Sequence, residues 1–446
     1  MKLLKSALIV TSMMALAACS SSSNKNKEFN LQVLHASPDA PPVTVLVDGD
    51  VVLTDFDYKD GSGYVRLDEG TYSIQVNGIL PGGEVPVIGP VDLTFERKKT
   101  YTIAAVNGIA DIEPVVIEQP NEKVSAGAAR VFVLHAAADA PMVDVYVTAP
   151  GAELGGSAPV GSFSFKGTIG PAEVPAGDYQ IRVTANGDPD AVVFDSGTVT
   201  LANLDDIVLA AVPNTSGGEA PISLVGLVST GSLEILDVGT PTALRVGHLS
   251  SDTGPVDVLV NGGEYLTDVP FPAVTGFDPL VADTYNVAVT AADMPGVVAI
   301  GPVDLELAAG TWYSVLAVDK FANIEPLIAT DDPRPVATNA KVRIIHAAAD
   351  PAAQSVDIYV TAVGADIDPL TPTLSAVAFK DNTGYLGLDA GDYDVTVTVA
   401  GTKIAAIGPA TISVGLGDVV TAIARDPLPG AGAADFGLIL LEDTLD

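Results

Sequence analysis

Cysteine is nearly missing from this chain. Cys19 is the only one in 446 residues, so no internal disulfide can hold the fold together and each folded part must rest on apolar burial. Tryptophan is also single; Trp312 lies in the alternating run "TWYSVLAV", which marks it as a core or edge residue of a strand, not a carbohydrate platform. Basic residues are scarce, with 21 Lys and Arg against 56 Asp and Glu and a formal net charge of −35. Nucleic-acid binding depends on clustered Lys and Arg, so this balance excludes that partner. The same charge repels the body of the protein from anionic membrane surfaces and makes divalent cations natural counterions. Beyond the first 18 residues no stretch keeps an apolar helical period for three turns, and 43 Gly and 32 Pro interrupt every run, which excludes a helical bundle. There is no Gly-x-Ser-x-Gly elbow, no HExxH and no cysteine nucleophile, so the chain is read as a non-enzyme. Yet 48% of the residues are hydrophobic, enough to fill several cores.

Histidine is the scarce residue that organises the rest. The chain holds four, in "VLHASPDAP" (33–41), "VLHAAADAP" (133–141), "VGHLSSDTGP" (246–255) and "IIHAAADPA" (344–352). His35, His135, His248 and His346 are each followed four residues later by Asp39, Asp139, Asp252 and Asp350. A rare residue recurring in one phrase identifies a tandem array. The first and third copies share "VIGPVDL" and "AIGPVDL"; the second and fourth share "VDVYVTA" and "VDIYVTA". The order is therefore A-B-A-B, and duplication of an A-B pair implies a persistent interface between A and B.

Within each copy the pattern has period two. "VTVLVDG" (43–49), "TYSIQVNG" (71–78), "TYTIAAVNG" (100–108), "VDVYV" (143–147), "DYQIRVTANG" (178–187) and "DYDVTVTVAG" (392–401) alternate and close on Asn, Asp or Gly, as half-buried strands do. Alternation also places Asp144, Asp257 and Asp357 on the outward face of their strand, where the first copy has Thr44. "DFDYKDGSG" (55–63) puts its glycine one position too late for an EF-hand, and its relative "FKDNTGY" (379–385) makes it a repeat hairpin. "GYVRLDEGTY", "AEVPAGDY", "DPLVADTY" and "GYLGLDAGDY" end at Tyr72, Tyr179, Tyr285 and Tyr393, and resemble the tyrosine corner of Greek-key sandwiches.

The amino terminus has its own logic. "MKLLKSALIVTSMMALAAC" combines Lys2 and Lys5 with an apolar run too short to span a bilayer, which reads as a secretory signal. Leu16-Ala17-Ala18-Cys19 resembles the bacterial lipobox, whose cysteine is lipidated, and Ser20 in the next position favours the outer membrane. The polar stretch that follows is a flexible tether. These readings give an all-β chain of four tandem antiparallel immunoglobulin-like β-sandwich domains after a lipoprotein signal peptide. The divisions are signal 1–18, lipidated tether 19–29, A repeats at 30–119 and 243–331, and B repeats at 129–229 and 340–446, with linkers at 118–129, about 230–242 and 330–340. Each domain is expected to bury a private core.

The "HAxxDAPxVDVYV" opening and "AGDY" strand resemble the domain of unknown function 4397, found in bacterial secreted and surface-anchored proteins, often in tandem. The resemblance covers all four copies and implies exported β domains without a settled activity. For function, the composition and repeats favour an outer-membrane lipoprotein, facing the periplasm or the cell surface, whose array is a scaffold, spacer or adhesive binding surface for a protein or cell-surface partner. No cofactor is required by this reading. The alternative is a divalent-cation or small-ligand binding protein using the His–Asp pairs, although zinc normally takes three or four ligands and each copy offers one His and no Cys. In the structural alternative for the same residues, the carboxylate accepts from the imidazole or from loop amides and fixes the bend.

Overall fold

The computed structural model describes residues 27–292, 294–430 and 435–444. The leader, Cys19 and most of the tether lie outside them. The described chain is all-β, strands joined by turns and loops with three short 3-10 turns, and its contacts divide it into two compact units, one ending at Val238 and the other beginning at Gly239, with Thr215–Ala220 counted in the second. Among the described residues no helix is long and apolar enough to cross a membrane.

Each unit holds four sheets, two from its A repeat and two from its B repeat. One sheet of every repeat carries the histidine strand, and we call it the inner sheet. In the first repeat it is Val65–Asp68, Glu28–Ala36, Lys99–Val106 and Glu113–Pro120, in that order. The outer sheet is Asp50–Phe56, Val43–Val47, Gly70–Leu80 and Gly83–Phe95. Val43, Val45, Val76 and Ile88 of the outer sheet pack with Ala105 of the inner sheet, while Phe29, Phe95 and Tyr101 close the other end, Phe29 and Phe95 stacked at 4.8 Å between centroids. The sheets therefore face each other as a sandwich.

The pairing is antiparallel with one recurring difference. The histidine strand runs parallel to a later strand of its own sheet in every repeat, with His35, His135, His248 and His346 opposite Ala105, Ala211, Ala317 and Ala424. A parallel neighbour requires a long crossover, and here the chain makes it by building the outer sheet before returning. Glycine permits a second recurring feature. Gly89, Gly301 and Gly408 of the "IGP" phrases sit at φ of +77°, +85° and +83°, where an added Cβ would lie 2.4, 2.5 and 2.3 Å from a carbonyl of the neighbouring strand. No side chain fits there.

The cores are not wholly private, contrary to expectation. Alternation sends the histidine and the residues two and four before it into the sandwich, and the residues one and three before it out of the opposite face. That opposite face is also covered. In the first unit, Leu34, Ala36, Ala104 and Val106 of the A inner sheet pack with Phe132, Leu134, Ala136, Val208 and Leu227 of the B inner sheet. In the second, Leu249, Leu316 and Val318 meet Ile345, Ala347 and Ile423. An inner strand buried on both faces explains why Ala340–His346 has no exposed residue. The A-B interface implied by the duplicated pair is thus a shared buried layer within each unit, apolar where these residues meet.

Two other expectations are corrected. Gly231–Ile235, assigned to a linker, is a fifth strand on the inner sheet of the second repeat, and Gly63 of the first repeat bridges to Thr230 beside it. Asp144 and Asp357 are not outward and solvated but 4% and 6% exposed. Asp144 accepts from the Gly187 amide at 2.8 Å and from Asn186 Nδ2 at 2.9 Å, and Asp357 from the amides of Ala376 and Gly401, both at 2.8 Å. Hairpin turns fold over the outer face because these carboxylates satisfy their amides. The half-buried Asp257 accepts from the Asp268 amide at 2.9 Å.

Candidate functional site: four histidine corners

Each histidine lies at or next to the last residue of its strand, where the chain leaves the inner sheet for the loop that leads to the outer one. All four are 1–2% exposed. Nε2 of His35 faces the Pro41 carbonyl at 3.2 Å, that of His248 the Gly254 carbonyl at 2.7 Å, and that of His346 the Ala353 carbonyl at 2.7 Å. The ring of His135 bonds to the Pro141 carbonyl. A carbonyl only accepts, so in His35, His248 and His346 Nε2 carries the proton and donates, and Nδ1 is left with a lone pair. Nδ1 then accepts from the amides of Ser37 and Ala348, both at 3.4 Å, in the first and fourth repeats. In the second and third, Nδ1 of His135 and of His248 is buried without a partner. Burial depresses the pKa of His135, His248 and His346 below the usual imidazole value, only partly opposed by the bond to the carbonyl. These imidazoles are neutral at neutral pH.

The aspartates four residues on do not meet the imidazoles. Asp39 reaches another loop and accepts from the Ile109 amide at 2.8 Å, and Asp252 does the same with Phe321 at 2.7 Å. Both therefore cap the short 3-10 turns Ile109–Asp111 and Phe321–Asn323. Asp350 accepts from Ala352 at 2.9 Å and starts the 3-10 turn Pro351–Ala353. Asp139 is exposed. In three of the four repeats the carboxylate is therefore used on loop amides and not on the imidazole. No group of three or more His, Cys, Asp or Glu among the described residues is placed to hold a metal ion.

The sequence phrase concealed the true neighbour of each imidazole, an aromatic ring. Tyr58, Phe163, Phe271 and Phe379 stand nearly perpendicular to His35, His135, His248 and His346, with centroids 6.3, 5.9, 6.3 and 6.4 Å apart. The signal lay in the hairpin phrases "YKDG", "FSFKGT" and "FKDN", where the ring is the residue before the lysine in the first and fourth repeats and three before it in the second, and the lysine amides at 59, 166 and 380 each donate to the carbonyl of their histidine at 2.8 Å. Those lysines adopt φ of 71°, 64° and 74°. Their ammonium groups then cross to the other repeat of the unit, Lys59 to Glu234 at 2.7 Å, Lys166 to Glu113 at 2.6 Å and Lys380 to Glu325 at 2.6 Å. The corner thus braces the bend and also ties A to B.

The tyrosine corners take the form their phrase suggests. Tyr72, Tyr179, Tyr285 and Tyr393 donate to the carbonyls of Asp68, Pro175, Val281 and Asp389, four residues upstream in each case, at 2.8, 2.7, 2.7 and 2.9 Å. Trp312 is half-buried, with Phe277 edge-on at 4.7 Å.

Comparison with known proteins gives one informative match. The profile of a family described as "Domain of unknown function (DUF4397)" matches residues 29–146 and 242–359. No curated protein matches. Among solved structures, the Bacillus anthracis TIE protein is 10% identical, with 91% of this chain and 76% of that one covered and a TM-score of 0.16. BcpA, the major pilin subunit of Bacillus cereus, is 9% identical, with coverage of 83% and 87% and a TM-score of 0.10. Likenesses this distant carry no argument.

Proposed function

Because this chain belongs to the family of domain of unknown function DUF4397, we propose that it is a non-enzymatic lipoprotein of the bacterial outer membrane whose β-sandwich repeats form a tethered scaffold or binding surface. The observation that carries this reading is the use made of the repeated polar residues. Imidazole Nε2, the carboxylates of Asp39, Asp252 and Asp350 and the corner tyrosines bond to loop backbone, which is the work of a framework. The leader supports export, with Cys19 as the site of lipidation and the membrane as the first partner. A chain of net charge −35, more negative still without the two leader lysines, adds no attraction to an anionic leaflet, so the lipid alone would anchor it. Duplication of the A-B pair doubles any surface the pair presents and raises avidity without new chemistry.

The test is made in cells. Labelled palmitate should enter the wild-type protein and not a Cys19→Ala variant, which should move from the membrane to the soluble envelope fraction. Protease added to intact cells then assigns the array to the outside or the periplasm. Unchanged membrane attachment in the variant, or a stoichiometric metal in the purified protein, would overturn the proposal.

A further inference from the structure

The two sheets of the second repeat enclose a cavity of about 190 Å³. Native cores hold few voids larger than a water, and an unfilled one this size is destabilising. Its walls come from both sheets, Val131 and Val133 on the inner side and Val145 and Val183 on the outer, with Phe163 beside them. His135 is the sole ionisable residue of the lining, and its buried Nδ1 has no partner. Half-exposed Val160 is also part of the lining, so the cavity reaches the surface. The coincidence recurs in the third repeat, where a cavity of about 90 Å³ is lined in part by His248, the other imidazole with an unpartnered Nδ1. In the first and fourth repeats that nitrogen accepts from a backbone amide instead.

We propose that the second repeat is a binding site for a small monocyclic phenol, its ring held between the sheets and its hydroxyl donating to Nδ1 of His135. Water is a poor occupant: it needs two to four polar partners, and this wall offers one unpaired nitrogen. The volume exceeds the roughly 150 Å³ of an apolar cavity known to take benzene. The ligand must bring a donor: in the other three repeats Nε2 donates to a loop carbonyl, and with the same tautomer the unpartnered Nδ1 of His135 has only its lone pair to offer. Burial keeps that imidazole neutral, which preserves the lone pair.

The experiment uses the whole acyl-free chain and fluorine NMR with 4-fluorophenol and 4-fluoroanisole, which differ in the donor. 4-Fluorophenol should bind saturably and about tenfold more tightly than the ether, the worth of one buried hydrogen bond. Val145→Phe, which fills the void, should abolish that binding while the circular dichroism of the chain is retained. Absence of saturable binding, equal affinity for the two probes, or phenol binding unchanged in a folded Val145→Phe would each overturn the site. Should that variant fail to fold, the ratio of the two affinities decides.

Discussion

The two units are built alike and joined alike, yet they fill the middle of the A-B layer with opposite chemistry. The deciding position lies three residues before each histidine, on the strand face that points at the other repeat. In the first unit it holds Gln32 and Phe132. Gln32 accepts from Thr102 Oγ1 at 3.2 Å and donates to the Val228 carbonyl of the partner repeat at 3.3 Å, and around it the layer is apolar. In the second unit the same position holds Arg245 and Arg343, among the largest fully buried side chains. Arg245 pairs with Asp443 and, at 3.2 Å, with Asp331; Arg343 pairs with Asp331 and lies 3.8 Å from Asp443. Ser314 and Thr421 complete the network, and the rings of Phe277 and Tyr385 cover the guanidinium groups at 4.3 and 4.8 Å.

The contrast shows that the fold of the pair does not require the ions. Burying two arginines and two aspartates costs several kcal/mol of desolvation per ion, which their mutual attraction roughly offsets. What the network adds is intolerance of loss: any member removed leaves a charge stranded in an apolar layer. The neutral version in the first unit has no such liability.

The strongest way to break the comparison is therefore Asp443→Asn. It should cost the second unit about 3–5 kcal/mol. Hydrogen exchange should quicken in the strands Thr242–His248 and Ala340–His346 and not in Glu28–Ala36 or Ala128–His135. Gln32→Leu in the first unit should cost about 1 kcal/mol, the net worth of a neutral hydrogen bond. The tyrosine corners are the internal control, because their geometry is the same in both units. Tyr72→Phe and Tyr285→Phe should each lose about 1 kcal/mol, and a large inequality would show that the units differ elsewhere.

A weaker, graded difference should follow acidification. Histidines whose folded pKa is depressed bind protons more readily when unfolded, so stability is full above the unfolded value of about 6.5 and falls as pH drops below it. The second unit has two such groups, His248 and His346, and the first has His135. Protection of the second unit should therefore decline more between neutral and mildly acid pH. The smallest effect is expected from the most extensive change. Replacing Arg245, Asp331, Arg343 and Asp443 together by Gln, Gln, Phe and Ser should leave stability within about 2 kcal/mol of the parent or raise it. A collapse of the second unit would show that the ions determine how its repeats dock.

Much of this framework was legible in the chain because it is local. The runs around Val45, Ile74 and Val145 alternate, so they could only be half-buried strands. The recurring phrase that ends in the Tyr, with a Gly, or Asp in the third repeat, two positions before it, placed the phenol within reach of a carbonyl four residues back. The aspartates of the histidine phrase were harder. Asp39 and Asp350 share a position in the phrase, yet one caps a loop about 70 residues away and the other its own turn, because the first A repeat has a 3-10 turn after its second-last inner strand and the last B repeat has one directly after Asp350. Asp144 and Asp357 alternated outward as read, but turns folded across them.

The sequence by itself determined the all-β class, the four-fold repetition, the A-B pairing and the tyrosine corners, since each depends on spacing between neighbours along the chain. Only the tertiary structure decided that the histidine strands are buried on both faces, that an aromatic ring and not a carboxylate stands against each imidazole, and that four charges sit in the middle of one layer. Those outcomes depend on which sheet faces which, and partners such as Arg245 and Asp443, 198 residues apart, are brought together only when two repeats dock.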